Sequence, residues 1–569
     1  MEADELTVCS YFANRVKITR QDPTRIAPTP MSEITNKLYY GDNLTIMKEK
    51  MGSGFVNLIY LDPPFNSKKD YNLLYKKLTG KPVPEQAEAF CDTWEMDAEK
   101  EEIAKRMPRL MKEHGVEDYY ARFWMTWIQA LRHTQPHLLA YLIYMVQRLL
   151  YMKTVLRNDG SIYLHCDPTA SHYIKVMMDG IFGHKNFRSE IIWKRTSSHN
   201  SAKRYGPVHD TILFYSMSDV YTWNPSYQPY DPEYLNTFFD QTDELGRRWK
   251  RTDLTGAGIR HGETGQTWRG INVTAKGRHW AQPPSVLDDL DSKGRIHWPQ
   301  KAGGMPRLKQ YPEDLPGIPL QDVWTDIRPI HNMSDDRLGY PTQKPITLLN
   351  RIIQASSNKG DIVFDPFCGC GTTVYAAAAN ERQWIGCDIA ILSIRLIEAV
   401  LTNKYRLTKG LHFDISGIPA SVDQAEELFS RDRFQFQNWF VERIGGFPMK
   451  KKVADRGIDG RIYFETRDGL KEVVLSVKGG GINPTDIRDL RGVLEREEDA
   501  KIAGFLSLKE PTRQMREEAA AAGRYEYNGV EYERIQLLTV REMFEEKKEL
   551  KTPSKVRKRY DTGQETFPL

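Results

Sequence analysis

The chain has 569 residues, enough for about three or four domain-sized units. With 40% hydrophobic and 27% charged residues it has the composition of a globular protein that can bury a large core, which excludes a mainly disordered chain and a fibrous repeat. Lys+Arg 80 against Asp+Glu 76 leave a net charge of +4, too mild to name a nucleic-acid partner without local charge patterning. The best apolar run, residues 138–146, is too short to cross a bilayer. The first ten residues are acidic and lack a basic-then-apolar signal pattern. The six cysteines are scattered singly apart from Cys368 and Cys370, so no disulfide framework is expected and a reducing cytoplasm is the predicted location.

Residues 1–36 read as a loose, proline-bearing lead-in. Residues 55–61 form a short apolar run that ends in Asp62-Pro63-Pro64-Phe65. This is a buried strand stopped by two prolines, which cannot donate to a sheet ladder. Residues 66–120 are polar and charged, predicting an irregular or partly helical insertion. Residues 122–156 predict a helix, the Asn158-Asp159-Gly160 turn leads into a strand at 161–165, and a helix follows at 170–182. Further strands are predicted at 190–193 and 211–215. Residues 217–335 carry many Trp, Tyr, Gly, Pro, Arg and Lys with little periodicity. A helix is predicted over 345–356, a strand over 361–364, a small-residue helix over 372–379 and a strand over 384–387. Strands alternating with helices imply a mostly parallel α/β sheet covered on both faces. The acidic stretch 423–427 reads as a hinge before a separate α/β unit at 430–547, and a basic tail closes the chain at 548–569.

The segment Asp365-Pro366-Phe367-Cys368-Gly369-Cys370-Gly371-Thr372-Thr373 falls between a strand and a helix. Its glycines let backbone approach a ligand where a Cβ would collide. Open α/β sheets bind ligands outside the carboxyl ends of their strands. Asp388 ends the next strand, where a carboxylate can accept hydrogen bonds from two ribose hydroxyls. Cys368 and Cys370 lack the second Cys or His pair that a structural metal site needs.

Together, LDPPFN at 61–66 and FDPFCGCGTT at 364–373 resemble the S-adenosylmethionine-dependent DNA amino-methyltransferases. Tyr40-Gly-Asp-Asn43, Gln343-Lys344-Pro345 and Ile385-Gly-Cys-Asp388 add to the likeness. The catalytic motif precedes the recognition region, which precedes the cofactor loop. That order matches the permuted β class, including type III modification subunits, over residues 37–405. The resemblance implies a Rossmann-like, circularly permuted methyltransferase domain at 37–410, with a target-recognition region inserted at 196–335. It assigns catalysis to Asp62, Pro63, Pro64 and Phe65. It assigns cofactor binding to Asp365, Phe367, Gly369, Gly371, Thr372, Asp388, Lys344 and Pro345. Double-stranded DNA is the expected substrate, with a restriction-system subunit and a homodimer as candidate partners and no membrane.

The chemistry explains these residue types. An exocyclic amine is a poor nucleophile because its lone pair is delocalised into the ring. Acceptors that bind its hydrogens, here the Asp62 carboxylate and the Pro63 carbonyl, return electron density to nitrogen. The two prolines pre-position them. Phe65 offers an apolar face to a base taken out of the duplex. A cytosine C5 enzyme would need a thiolate in a Pro-Cys pair, and no cysteine here follows a proline. Asp and Phe in this motif favour adenine N6, with cytosine N4 as the alternative. His165 and Asp167 read equally well as pocket lining and as a capped strand end. Trp193, Lys194 and Arg195 read equally as phosphate contacts and as a solvated rim.

Residues 196–335 mix cations with aromatics, at Arg247-Arg248-Trp249-Lys250-Arg251, Trp268-Arg269, Lys276-Gly-Arg278-His279-Trp280 and Arg295-Ile-His-Trp298. Such mixtures neutralise phosphates and stack on bases, and some of these tryptophans are expected in a core. Near the C-terminus, Asp459 and Val473 to Gly480 resemble the strand pair of Mrr-like restriction endonucleases, a branch of the PD-(D/E)xK fold. The resemblance assigns Glu442, Asp459, Ser476 and Lys478 to a nuclease site, with Asp459 as a Mg²⁺ ligand. Ser476 stands where a carboxylate or amide is expected, which leaves two readings: a cutting domain, making the chain a bifunctional restriction–modification enzyme, or one that binds DNA without cutting. A DNA-binding protein with both sites degenerate, and amino-methylation of protein or RNA, are the remaining alternatives.

Overall fold

The computed structural model describes residues 36–64, 94–196, 203, 205–300, 304–330, 338, 343–449, 457–464, 466 and 469–553, and the backbone alone of 71–72, 88–90 and 465. Phe65, the lead-in 1–35 and the end of the basic tail from 554 lie outside the described residues. Two compact units are present, one comprising residues 1–224 and 322–569 and the other residues 225–321.

The larger unit is built on a nine-stranded sheet. Its strands in chain order are β1 Lys37–Tyr40, β2 Val56–Leu61, β3 Leu156–Cys166, β4 Phe187–Lys194, β5 His209–Ser216, β6 Val323–Trp324, β7 Ile362–Asp365, β8 Gln383–Asp388 and β9 Asp414–Ser416. Their spatial order is β6-β4-β5-β3-β2-β7-β8-β1-β9. All neighbouring pairs are parallel except those made by β5, which runs against β3 and β4. This is the expected α/β architecture, a Rossmann-like sheet with one reversed strand. The chain leaves β2 towards β3 on one side and leaves β7 towards β8 on the other. The seam between β2 and β7 is therefore a topological switch point, where such sheets open a crevice at their carboxyl ends.

The helices follow from the apolar spacing. In chain order they are α1 Asn43–Lys50, α2 Ala98–Glu113, α3 Asp118–Thr134, α4 Pro136–Val155, α5 Ser171–Met178, α6 Ile346–Ser356, α7 Thr372–Ala379 and α8 Ile391–Asn403. The polar segment expected to be irregular or partly helical is helical from Ala98. Ala104, Met107 and Met111 bury one face at helical spacing, while Glu102–Arg106 and Arg109–Glu113 pairs occupy the solvent side. The predicted 122–156 helix is two helices, because Pro136 restarts the chain at a first helical position. The Asn158-Asp159-Gly160 turn does not begin a new strand. Pairing jumps from Val56↔Leu156 to Leu58↔Ser161, so residues 157–160 bulge out of a continuous β3.

The acidic stretch 423–427 is a correction too: it lies inside helix α9 Val422–Arg431, not a hinge. Ser421 caps the helix by accepting from the Gln424 amide, and Ala425 and Leu428 are buried, so the acids are simply its exposed side. Next come α10 Arg433–Arg443 and a five-stranded sheet: β10 Phe447–Pro448, β11 Gly460–Thr466, β12 Gly469–Lys478, β13 Ala500–Ser507 and β14 Ile535–Thr539, in that spatial order. One continuous core joins this sheet to the large one. It includes Tyr40, Ile394 and Ile397 from the first part, and Phe436, Trp439, Phe440 and Leu475 from the second.

The smaller unit has its own core of Leu254, Trp268, Val273, Trp280, Leu287 and Ile296. It begins later and ends earlier than the expected 196–335 insertion, because β5 and β6 belong to the large sheet. Its main strands, Arg248–Asp253 and Arg307–Gln310, pair antiparallel. Trp249, Trp268 and Trp280 are buried, and Trp298 is exposed.

Candidate active site

Three carboxylates stand at the carboxyl ends of adjacent parallel strands: Asp62 just beyond β2, Asp365 at the end of β7 and Asp388 at the end of β8. The register explains why they converge. Phe364 pairs with both Ile59 and Ile385, and Asp388 pairs with Tyr40. The Asn57 side chain accepts from the Ile362 amide at 3.0 Å and ties β2 to β7.

Asp62 has two unlike oxygens. Oδ2 receives the Lys344 ammonium. Oδ1 is buried and has no hydrogen-bond partner among the described residues. A buried acceptor without a donor costs about 1–3 kcal/mol, so such an atom in a crevice points to a ligand donor. Pro63 is buried and Pro64 half-buried beside it. Lys344, expected with the cofactor loop, is thus placed against Asp62, while Pro345 begins helix α6 as its N-cap residue.

Below Asp62 lies a buried polar chain. Tyr60 Oη and His165 Nδ1 are 2.9 Å apart, and His165 Nε2 and Asp210 Oδ2 are 3.1 Å apart. Burial acts to raise the Asp210 carboxyl, but the bond to His165 and the charges of His165, Lys344 and Arg195 outweigh it and hold it below the ordinary range. His165 is therefore part of the sheet's interior. Asp167 caps the following turn by accepting from the Thr169 amide at 3.0 Å. Trp193 is core and donates to the Ile327 carbonyl. Arg195 is exposed but pairs with Asp210 at 3.0 Å, and Lys194 is exposed.

The loop after β7 is built by its own acids. Asp365 Oδ1 accepts from the Phe367 amide at 3.0 Å, and Oδ2 accepts from the Thr373 hydroxyl. Burial, aided by the charges of Asp62 and Asp388, pushes the Asp365 carboxyl up to about 7 against those bonds. Asp388 Oδ2 accepts from the Gly369 amide at 2.9 Å and Oδ1 from the Ala390 amide at 2.8 Å. Burial pushes it up to about 7 as well. Gly371 caps α7 in a left-handed conformation, φ +87°, where a Cβ would lie 2.6 Å from Ile397. Only glycine fits there without displacing the loop. Thr372 is buried at the start of α7, and Phe367 is half-buried beside Tyr144, with ring centroids 6.3 Å apart. The Ser393 hydroxyl and the Ile389 amide also bond to the Asp388 carboxyl.

A second support was not identified from sequence. Arg148, buried in the otherwise apolar α4, pairs with Asp42 and donates from Nε to Asn43 Oδ1 at 2.7 Å. Asn43 in turn donates to the Pro366 carbonyl at 2.8 Å. A cation inside the apolar run 138–155 was the available signal, because a buried charge demands a partner.

The residues expected to form a nuclease site are differently engaged. Asp459 Oδ2 accepts from the Val477 amide at 2.7 Å. Ser476 is buried, and the Lys478 ammonium lies 3.8 Å from Asp486. Glu442 Oε2 accepts from the Ile391 amide of α8 at 3.0 Å. Among the described residues, no group of three or more His, Cys, Asp and Glu side chains is arranged to hold a metal ion. Among them, too, no helix is long and apolar enough to cross a membrane.

Comparison with known proteins bears on this geometry. Residues 56–399 match a family profile described as DNA methylase, of the N6/N4 type. Residues 433–545 match one described as NACHT-associated inactive Restriction Endonuclease 1. The type II methyltransferase M.EcaI of Enterobacter cloacae is 38% identical over 45% of this chain and 56% of its own length. The StyLTI Mod subunit, a type III restriction–modification enzyme of Salmonella typhimurium, is 25% identical over 62% of this chain and 52% of its own. The DNA adenine methyltransferase YhdJ of Escherichia coli is 50% identical over 12% of this chain and 23% of its own. The solved M1.HpyAVI–SAM complex aligns over 64% of this chain and 98% of that one, at 13% identity and a TM-score of 0.28. The chain spans about half the length of the first two curated relatives. With more than half of its residues matched by the one profile, the chain belongs to the N6/N4 DNA methylase family.

Proposed function

We propose that the protein transfers a methyl group from S-adenosylmethionine to the exocyclic amine of a base in double-stranded DNA, most favourably adenine N6. The buried, unpartnered Oδ1 of Asp62 at the switch point carries this reading. An amine hydrogen supplies the donor that this atom lacks.

The bound cofactor supplies an electrophilic methyl carbon on a sulfonium. The protein's own residues do the rest. Asp388 accepts from ribose hydroxyls, and the glycine loop admits the cofactor close to backbone. The Asp62 carboxylate complements a positive sulfonium. Lys344 anchors one oxygen of Asp62 and leaves the other aimed at the amine. With its hydrogens held by Asp62 Oδ1 and the Pro63 carbonyl, the amine nitrogen forms the new N–C bond as the S–C bond breaks. The electron pair of that bond stays on sulfur, and the proton lost from nitrogen leaves along the hydrogen bond to Asp62. Positioning of this kind replaces a costly bimolecular encounter.

Adenine is supported by the Asp-Pro-Pro-Phe motif and by the local 50% identity to an adenine enzyme. The smaller unit is read as the target-recognition region. Several of its cations are spent on internal acids, Arg247 on Asp243, Arg269 on Asp291 and Arg295 on Asp314. The Arg248 side chain is exposed and has no hydrogen-bond or ion-pair partner among the described residues, which suits a phosphate. The C-terminal domain is read as binding or bracing without cutting. The engaged Asp459, the neutral Ser476 and the redirected Glu442 support this. Expression in a methylation-free bacterial host, followed by sequencing that detects modified bases directly, tests the reading. N6-methyladenine at one recurring motif is expected. A genome without methylated amines would overturn it.

A further inference from the structure

One polar contact between the C-terminal domain and the methyltransferase core falls at the Asp388 turn. Helix α8 begins at Ile391, and its N-cap residue, Ala390, has no side chain able to satisfy the free amides of the first turn. Glu442, on α10 of the C-terminal domain, accepts from the Ile391 amide at 3.0 Å. The adjacent Ala390 amide is held by Asp388 itself at 2.8 Å. Two carboxylates from separate domains therefore hold two consecutive amides, and together they fix the turn that carries Asp388.

A second contact from the same helix reaches the other side of Asp388. The Gly41 amide donates to the Asp388 carbonyl at 2.9 Å. A Cβ at Gly41 would lie 3.4 Å from Gln435 Nε2, so Gln435 of α10 packs directly on that glycine. Phe436, Trp439 and Phe440 of α10 share one core with Tyr40, Ile391, Ile394 and Ile397. A negative charge at a helix N-terminus is favourable, and loss of a cap is destabilising.

We propose that Glu442 and Gln435 are positioning residues for the cofactor: the C-terminal domain supplies the cap that fixes the Asp388 turn, and affinity for S-adenosylmethionine depends on that contact. This rests on Asp388 being the cofactor-holding carboxylate. It assigns the nuclease-like domain a use in methyl transfer that requires no cleavage chemistry, and it explains why Glu442 faces α8.

The test is calorimetric binding of S-adenosylmethionine to the full-length chain, with steady-state methylation in parallel. Glu442→Ala is expected to raise Kd and KM for the cofactor about five- to ten-fold, leaving kcat and KM for DNA within about two-fold. Glu442→Gln, which keeps a neutral acceptor, should recover most of the affinity. Gln435→Ala should give a smaller change in the same direction. A folded Glu442→Ala with wild-type Kd would overturn the proposal. If Glu442→Ala does not fold, wild-type affinity in both Glu442→Gln and Gln435→Ala would overturn it instead, whereas graded losses in the two would support it. A uniform fall in kcat without change in cofactor KM would also contradict it. Failure of the wild-type chain to bind S-adenosylmethionine would instead sink the methyltransferase reading.

Discussion

The methyltransferase sheet and the C-terminal domain both carry acids at strand ends, and they use them differently. On the large sheet, Asp62 keeps one buried oxygen free of any partner among the described residues, at a crevice the topology opens. On the small sheet, Asp459 gives an oxygen to a backbone amide, Ser476 replaces a charge, and Glu442 has been turned to brace a neighbouring helix. Asp62 thus differs from Asp459, and also from Asp365 and Asp388 on its own sheet, which accept backbone amides. The hydrogen-bond inventory, more than the motif, tells them apart.

The largest effect that would break this contrast is at Asp62. Asp62→Ala should lower kcat by about 10²–10³-fold, the usual consequence of removing one pre-positioned hydrogen-bonding group, while cofactor affinity stays near wild type. Single-turnover transfer of labelled methyl reads it, and an unchanged kcat would remove Asp62 from the chemistry. Next is Gly371→Ala. Its Cβ would collide with Ile397 at a left-handed φ, so loss of cofactor binding and a destabilisation of about 1–3 kcal/mol are expected by thermal or denaturant melts.

Asp365 sharpens the comparison through pH. Its carboxyl is raised to about 7 when folded, against about 3.9 when unfolded. The folded state therefore holds a proton that the unfolded state has released between those values. Stability from this group is present below about pH 4 and is lost as pH rises to about 7. Asp365→Asn keeps an acceptor for the Phe367 amide and carries no proton. Its stability relative to wild type should rise with pH across that window, by at most about 1.4 kcal/mol per pH unit. Parallel wild-type and variant melts would contradict the assignment. The smallest expected effect is at Lys478. Lys478→Ala should leave methylation within about two-fold, and neither it nor wild type should show Mg²⁺-dependent cutting of unmodified DNA. Cleavage by wild type that Lys478→Ala abolishes would restore the bifunctional reading.

The strand ends were legible because an apolar run that stops at Asp-Pro has few structural options, and 55–62 and 361–365 each show that break, while 384–388 stops at Asp388 without a proline. Gly371 was legible for the same reason, since a Gly-x-Gly between strand and helix implies close backbone approach. The partner of Lys344 was not, because Asp62 is 282 residues away and only the sheet topology brings them together. Helix α9 reads as a hinge from sequence because its acids dominate the composition, while Val422, Ala425, Leu428 and Phe429 carry the stripe packed on the core. Helix α2 was legible only as partial helicity, because the charges on its exposed face dilute the Ala104, Met107 and Met111 stripe. Arg148 was visible in sequence, but its significance needed Asp42 and Asn43 beside it. Glu442 fitted a nuclease motif, and nothing local records that its carboxylate crosses to another domain.

The most direct test of the central claim is to incubate purified protein with labelled S-adenosylmethionine and unmethylated duplex DNA, then digest the DNA and identify the labelled nucleoside by mass spectrometry. The account predicts label in N6-methyladenine with wild type and none above background with Asp62→Ala. Label at cytosine C5, or equal labelling by Asp62→Ala, would contradict it.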